Sequence, residues 1–142
     1  MKRAQLEMTK LLWRLLWIGW VLVIGAVTLL PWSNYVGHSH WPWVRWFPFQ
    51  AGEMSRDFFV DFLANVLLFA PFGYLQLRAE INLLRREMLS TVVAALALSL
   101  GVEFAQVYMH NRIASTADVF SNVLGAMLGG FVYCLKLWFF RV

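Results

Sequence analysis

Four long apolar stretches constrain what this chain can fold into. They cover approximately residues 15–31, 61–78, 90–109 and 118–140. Each is close to the ~20 residues that a helix needs to cross the hydrocarbon core of a bilayer. The chain is 61% hydrophobic and only 14% charged, which is too apolar for a soluble domain of 142 residues. The sequence therefore predicts an all-α membrane protein with four transmembrane helices.

The whole chain, residues 1–142, is expected to form a single membrane domain. Its first apolar stretch continues well past Gly25-Ala26, so we interpret it as an uncleaved membrane helix and not as a signal peptide. Pro71 and Gly73 interrupt the second stretch, but membrane helices tolerate both when neighbours satisfy the freed backbone groups. The single cysteine, Cys134, excludes an internal disulfide.

Basic residues predict how the helices are oriented. Nine of the 12 lysines and arginines fall on one side of a four-helix topology: Lys2, Arg3, Lys10, Arg14, Arg78, Arg85, Arg86, Lys136 and Arg141. Only Arg45, Arg56 and Arg112 fall on the other side. Because cytoplasmic loops carry an excess of lysine and arginine, this distribution predicts that both termini are cytoplasmic (N-in/C-in). The net positive charge is thereby explained without nucleic-acid binding.

The longest connection, residues 32–60, is rich in aromatic residues and lies on the outer side in this topology. It contains Trp41-Pro42-Trp43 and then Trp46-Phe47-Pro48-Phe49. Its prolines argue against a continuous helix, and its aromatic side chains suit the lipid headgroup region. An interfacial anchor and a lid over a ligand both remain open. His38 and His40 have no nearby cysteine or matched acid, so neither a metal nor another cofactor is predicted.

Three acidic residues lie inside or at the rim of the apolar stretches: Asp61, Glu103 and Asp118. A charge at such a depth costs roughly 2.5–3.5 kcal/mol on insertion scales. Each acid is followed one helical turn later by an amide, respectively Asn65, Gln106 and Asn122. Alternating helix directions bring all three pairs to the outer end, where Arg112 occupies the short loop beside them. We therefore expect a shared polar pocket on the outer side.

Each of these side chains also has a structural explanation. Residues 115–118, Ser-Thr-Ala-Asp, resemble a capping box that would account for Asp118, and Asp61 is also near a helix N-terminus. Asparagines can act as glue between helices. Glu103 is harder to explain, because the macrodipole opposes a carboxylate near a helix C-terminus. A buried ion pair with Arg112 is its structural alternative.

Glycines near the end of the chain predict close helix packing. Gly125 and Gly129 form a small-xxx-small pattern, which permits two helix backbones to approach each other. Contact within the chain is favoured over dimerisation, because four helices already offer internal neighbours.

Three short motifs resemble the VanZ-like family. They are Asp61-Phe62-Leu63-Ala64-Asn65 continuing through Phe69-Ala70-Pro71-Phe72-Gly73, then Glu103-Phe104-Ala105-Gln106, then Arg112, Asp118 and Asn122 followed by Gly125 and Gly129. Their order and spacing resemble the family pattern across residues 61–130. Many members carry an acid three residues after the arginine, where this chain has Ser115. That departure weakens any mechanism that needs a carboxylate at this position.

The resemblance implies a small polytopic protein of the bacterial inner membrane. The namesake of the family is associated with resistance to the glycopeptide antibiotic teicoplanin. Other members resemble accessory proteins encoded beside surface-polysaccharide functions. The resemblance implies no particular reaction, so it leaves open whether the chain is an enzyme.

The leading hypothesis is an outer-leaflet pocket that binds or helps process a lipid-linked glycan or peptidoglycan-type precursor. In this hypothesis Arg112 holds a phosphate or carboxylate, and Glu103 and Asp118 act as an acid/base pair. The other substrate-binding candidates are Gln106, Asn122, Asn65 and Asp61. The expected ligands and partners are membrane lipids and such a precursor.

Two hypotheses from other classes remain. The chain could be a structural or accessory subunit of a cell-envelope complex, with no site of its own and a protein partner at its aromatic segment. It could also be a small transporter or channel, since intramembrane acids serve there as well. Four helices without an inverted repeat are few for alternating access.

Overall fold

Four long helices form the protein. The computed structural model describes residues 2–49, 55–79 and 84–140. Helix α1 spans Lys2–Leu29, α2 spans Arg56–Ala79, α3 spans Leu84–Gln106 and α4 spans Thr116–Phe140. Each has the length and the apolar composition to cross a bilayer. The prediction of an all-α membrane protein with four transmembrane helices is confirmed.

Helix α2 begins before the apolar stretch that predicted it. Its first residue is Arg56, because the hydroxyl of Ser55 accepts a hydrogen bond from the Phe58 N–H at 3.2 Å and so caps the helix. Asp57 lies in the first turn, where a carboxylate is favoured. Hydropathy locates the membrane-compatible part of a helix, whereas capping determines where the helix starts. The longer α2 places Asp57 one turn before Asp61.

Helices α2 and α4 pack most closely, and glycines permit this contact. A Cβ atom added to Gly125 would meet the backbone of Val66, and one added to Gly129 would meet the backbone of Ala70. From the other side, Gly73 of α2 lies against the backbone of α4. The small-xxx-small pattern therefore packs within the chain, as the sequence predicted.

Aromatic side chains join α1 to α2. The indole N–H of Trp20 donates to the carbonyl oxygen of Leu68 at 2.9 Å. One turn away, the rings of Trp17 and Phe72 lie 5.5 Å apart. Around these contacts, the buried apolar core consists of Ile24, Phe69, Phe72, Ala95 and Ala126. These core residues come from all four helices, whereas the acid–amide pairs lie towards one end of the bundle.

An aromatic cap covers that end of the bundle. We use this name for residues 32–49, which contain two short 3₁₀ turns, Trp32–Asn34 and Trp41–Trp43. Pro42 lies at the start of the second turn, where its missing N–H leaves no hydrogen bond unmade. The cap is irregular, in keeping with its prolines.

Backbone hydrogen bonds tie the aromatic cap to the connection between α3 and α4. The N–H of Val36 donates to Tyr108 O at 3.1 Å, and that of Arg45 donates to Ala114 O at 2.9 Å. Thr116, the first residue of α4, donates its own N–H to Arg45 O at 3.1 Å. The position of the cap is therefore linked directly to the start of α4.

We expect Gly129→Ala to lower the free energy of unfolding by about 1–3 kcal/mol, because the new methyl group would meet the backbone of α2. Gly101→Ala is the matched control, since a Cβ atom there meets nothing within 4 Å. Thermal unfolding of both variants in detergent measures the difference. Equal stability of the two variants would contradict the close α2–α4 contact.

Candidate polar cavity under the aromatic cap

A cavity of about 780 Å³ lies where the aromatic cap meets the ends of the four helices. Every helix contributes to its wall, together with the cap and the α3–α4 connection. The structure brings all seven sequence candidates to this wall: Asp61, Asn65, Glu103, Gln106, Arg112, Asp118 and Asn122. These seven residues are far apart along the chain, so only the folded structure brings them together.

Glu103 lies in the last turn of α3 and is buried, with 8% of its surface exposed. Its Oε2 accepts a hydrogen bond from the backbone N–H of Ser115 at 2.7 Å. Because Ser115 immediately precedes α4, the positive end of a neighbouring helix holds this carboxylate. Arg112 acts on Glu103 electrostatically, but among the described residues the two side chains form no ion pair. The ion-pair explanation of Glu103 is wrong.

Ser115 caps α4, but Asp118 does not complete a capping box. The Ser115 hydroxyl accepts a hydrogen bond from the Ala117 N–H at 3.1 Å, as an N-cap residue does. In a capping box, the Asp118 side chain would accept the Ser115 N–H, and here Glu103 accepts it instead. The Asp118 carboxylate accepts a hydrogen bond from Asn65 Nδ2 at 2.9 Å, which joins α4 to α2. The capping-box explanation of Asp118 is wrong.

The acid and the amide on each helix share a face without binding each other. Within residues 55–79 and 84–140, no hydrogen bond links Asp61 to Asn65, Glu103 to Gln106, or Asp118 to Asn122. Because such pairs lie on one face, each amide also points towards the adjacent helix and finds its partner there. Gln106 Nε2, for example, lies 3.4 Å from the carbonyl oxygen of Thr28, which links α3 to α1.

Asn122 carries a buried hydrogen-bonding atom without a partner. The residue is 3% exposed, and its Nδ2 donates to the Ser99 hydroxyl at 2.8 Å. Its Oδ1 accepts no hydrogen bond from any residue that the structure describes. A buried acceptor left in this state costs about 1–3 kcal/mol. The atom is therefore an acceptor that the described residues leave unused.

Two arginines reach the same cavity from different segments. Arg112 belongs to the α3–α4 connection, and Arg45 belongs to the aromatic cap. Both act electrostatically on Asp118. The Asp118 carboxylate also lies close enough to Asp61 and Glu103 for their like charges to repel it. The cavity thus combines guanidinium groups that can hold an anion with carboxylates that attract a cation.

Sequence reasoning missed Arg45 and Asp57, both of which line the cavity. Asp57 lies four positions before Asp61 on one helix face, so the spacing would have found it if α2 had been expected to start earlier. Arg45 left a different signal. It is one of the three basic residues that the orientation rule places on the outer side, and Arg112 is another.

The histidines of the aromatic cap pack against aromatic rings. His38 and His40 have ring centroids 4.8 Å apart, and His40 stacks on Trp43 at 4.7 Å with an interplanar angle of 16°. Nδ1 of His40 lies 3.2 Å from Val107 O. Across the described ranges, no three histidine, cysteine or acidic side chains converge as metal ligands. The two histidines therefore contribute to the packing of the cap.

The fold and the cavity define a class of protein: a multi-pass membrane protein of four helices with a polar cavity beneath an aromatic cap. A family model described as VanZ/LLP1 matches residues 15–139, and the chain belongs to this family. The match extends well beyond residues 61–130, on which the resemblance rested, and takes in the second half of α1 and the whole aromatic cap. Searches of curated proteins and of solved structures found no match.

We expect Glu103→Leu to speed hydrogen exchange at the Ser115 amide and to lower stability by about 1–3 kcal/mol, because that N–H loses its acceptor. Glu103→Gln is the matched control, since its amide oxygen can still accept the bond. Hydrogen–deuterium exchange and thermal unfolding in detergent measure both effects. Unchanged exchange at Ser115 in the leucine variant would contradict this role of Glu103.

Proposed function

We propose that the cavity binds the polar headgroup of a lipid-linked glycan or peptidoglycan-type precursor at the outer leaflet of the bacterial inner membrane. The observation that carries this proposal is the meeting of Arg112, three acids and three amides in one cavity. The cavity lies at one end of helices that can cross a bilayer. A headgroup bound there leaves its lipid chain beside the apolar helix surfaces.

The side chains have distinct proposed roles. Arg112 holds the phosphate or carboxylate of the headgroup through two parallel hydrogen bonds, with Arg45 as a second source of positive charge. Asn122 Oδ1 accepts a hydroxyl or amide donor of the ligand. Glu103 and Asp118, which interact electrostatically, form a candidate acid/base pair. Proton transfer to or from a bound hydroxyl is the chemistry that this pair supports.

An accessory role in a cell-envelope complex is the second candidate. The aromatic cap supports it, because Trp43 is 59% exposed and Phe47 is 71% exposed. Such side chains suit a protein partner, although they suit the lipid headgroup region equally well. In this candidate, the cavity residues only stabilise the fold. Substitution in the cavity would then lower protein abundance before it lowered the activity of each molecule.

We expect Arg112→Ala to weaken binding of a polyprenyl-linked peptidoglycan precursor in nanodiscs by about 10–100-fold, the effect of losing one strong charged hydrogen-bonding partner. Glu103→Gln should weaken binding of the precursor less than Arg112→Ala does, or should block turnover of the bound precursor. Arg56→Ala is the matched control, since Arg56 is exposed at the same end of the bundle without lining the cavity. Native mass spectrometry measures the binding.

Normal binding by both cavity variants at normal membrane abundance would contradict the proposal. A loss of abundance with normal binding per molecule would favour the accessory role.

We expect deletion of this protein to change the teicoplanin susceptibility of its host. Arg112→Ala should reproduce the change, because it removes the proposed anion contact, whereas Arg56→Ala should not. Minimum inhibitory concentrations measure the effect, with membrane abundance checked by immunoblot. Identical susceptibility of the deletion strain and its parent would separate this chain from glycopeptide resistance.

The proposed outer location depends on helix orientation, which cysteine labelling can measure. In a Cys134→Ala background, we expect Ser39→Cys in the aromatic cap to react with a membrane-impermeant maleimide in intact cells. Gln5→Cys should react only after the cells are permeabilised, because the basic side of the protein is expected to face the cytoplasm. The reverse pattern would place the cavity at the inner leaflet.

A further inference from the structure

The cavity carries more negative than positive charge. Its lining contains four carboxylates and two guanidinium groups, those of Asp57, Asp61, Glu103, Asp118, Arg45 and Arg112. When all six are ionised, two negative charges have no counterpart among the lining residues that the structure describes. Asp57 and Asp61 are exposed, so water can solvate them, but the excess of carboxylates makes the cavity attractive to a cation.

Hydrogen bonding in the cavity shows the same imbalance. One oxygen of Glu103 accepts the Ser115 N–H, and one oxygen of Asp118 accepts Asn65 Nδ2. A carboxylate offers about four acceptor positions, so each of these two can accept further donors. Asn122 also lines the cavity, and its buried Oδ1 accepts no hydrogen bond from any described residue. A cation that binds here would therefore be held best if it also brought N–H or O–H donors.

A primary ammonium group fits both requirements. It carries one positive charge and three N–H donors, and it accepts no hydrogen bond. A divalent metal ion fits less well, because no three acids or histidines of the described residues converge as ligands. The arginines at the same cavity provide the complementary contact for a phosphate.

We propose that the headgroup bound in this cavity carries a primary ammonium group together with a phosphate. The carboxylates of Asp61 and Asp118, which are near enough to repel each other, bind the ammonium, and Arg112 binds the phosphate. Asp57, one turn before Asp61 on the same face of α2, adds negative charge. This inference rests on the proposed function and names the class of ligand. Such a group occurs both in phosphoethanolamine lipids and in amine-bearing sugars or peptides on a lipid phosphate. The volume of about 780 Å³ is that of a site for a drug-sized ligand, which favours the larger sources.

The test compares four short-chain lipids that differ only in the headgroup: phosphoethanolamine, N-acetyl-phosphoethanolamine, phosphocholine and phosphoglycerol. We expect the phosphoethanolamine lipid to bind the full chain in detergent at least about tenfold more tightly than its N-acetyl form, which lacks the charge. Phosphocholine keeps the charge without N–H donors, so it should bind more weakly than phosphoethanolamine. Native mass spectrometry measures all four.

A second arm distinguishes the source of the amine. It compares a polyprenyl phosphate-linked amino sugar with its N-acetylated form. A preference for the free amine in this pair alone identifies the lipid-linked glycan as the source. A preference in the short-chain lipids alone identifies the phospholipid headgroup. A preference in both supports the shared ammonium chemistry.

Variants test whether the cavity residues cause the preference for the free-amine probe. The double variant Asp57→Asn and Asp61→Asn keeps side-chain size. It should bring the ratio of affinities for the free-amine and the N-acetylated probe close to one, while the acetylated probes bind as before. Glu7→Gln, an acid near the opposite end of the bundle, is the matched control and should keep the preference. A circular-dichroism melt of each variant checks that the helices are retained.

The outcomes separate this inference from the proposed function. Equal binding of free-amine and N-acetyl probes would overturn the ammonium inference. If those probes still lost affinity in Arg112→Ala, the headgroup site would stand. Failure of every lipid-linked probe to bind, or binding that Arg112→Ala leaves unchanged, would overturn both.

Discussion

The close contact between α2 and α4 is the constraint on which the cavity depends. Gly125 and Gly129 lie directly against the backbone of α2, so the two helices are as near as their main chains allow. Along the same interface, Asn65 of α2 binds Asp118 of α4 at 2.9 Å. A larger side chain at either glycine would separate the helices, and the two polar residues would separate with them. Packing in the apolar half thus sets the geometry of the polar end.

The ends of the helices form the rest of the cavity, and polar groups at one helix end form hydrogen bonds with groups at another. Glu103 would be disfavoured at the C-terminal end of α3 by the dipole of its own helix. The N-terminal end of α4 offsets this cost through the Ser115 N–H. The aromatic cap bonds to the same connection through Arg45 and Thr116. The wall, the carboxylate and the cap are therefore one hydrogen-bonded unit.

An excess of hydrogen-bond acceptors gives the cavity its chemical character. The carboxylates outnumber the arginines, and the buried Asn122 Oδ1 awaits a donor. Of these groups Glu103 and Asn122 are buried, where a polar group without a full set of partners is costly. The helices are long and apolar enough to cross a membrane, so the ligand that we propose would reach the cavity from the lipid. The proposed headgroup, with both a phosphate and an amine, would contact the arginines and the acids together.

Local properties of the sequence by themselves determined the four helices, the internal glycine contact and the seven candidate side chains. Hydropathy, small-residue spacing and a charge in an apolar stretch are each properties of residues that are close together in the chain. They can therefore be recognised without knowing the fold. Only the tertiary structure decided which partners those side chains have. The sequence offered an ion pair with Arg112 as one explanation of Glu103 and a capping box as one explanation of Asp118. In the structure Glu103 binds the Ser115 N–H and Asp118 binds Asn65. Arg45 reaches the cavity from the aromatic cap. The reason is that a hydrogen bond between distant segments depends on how the helices pack and where their ends meet, and no short stretch of sequence encodes that arrangement.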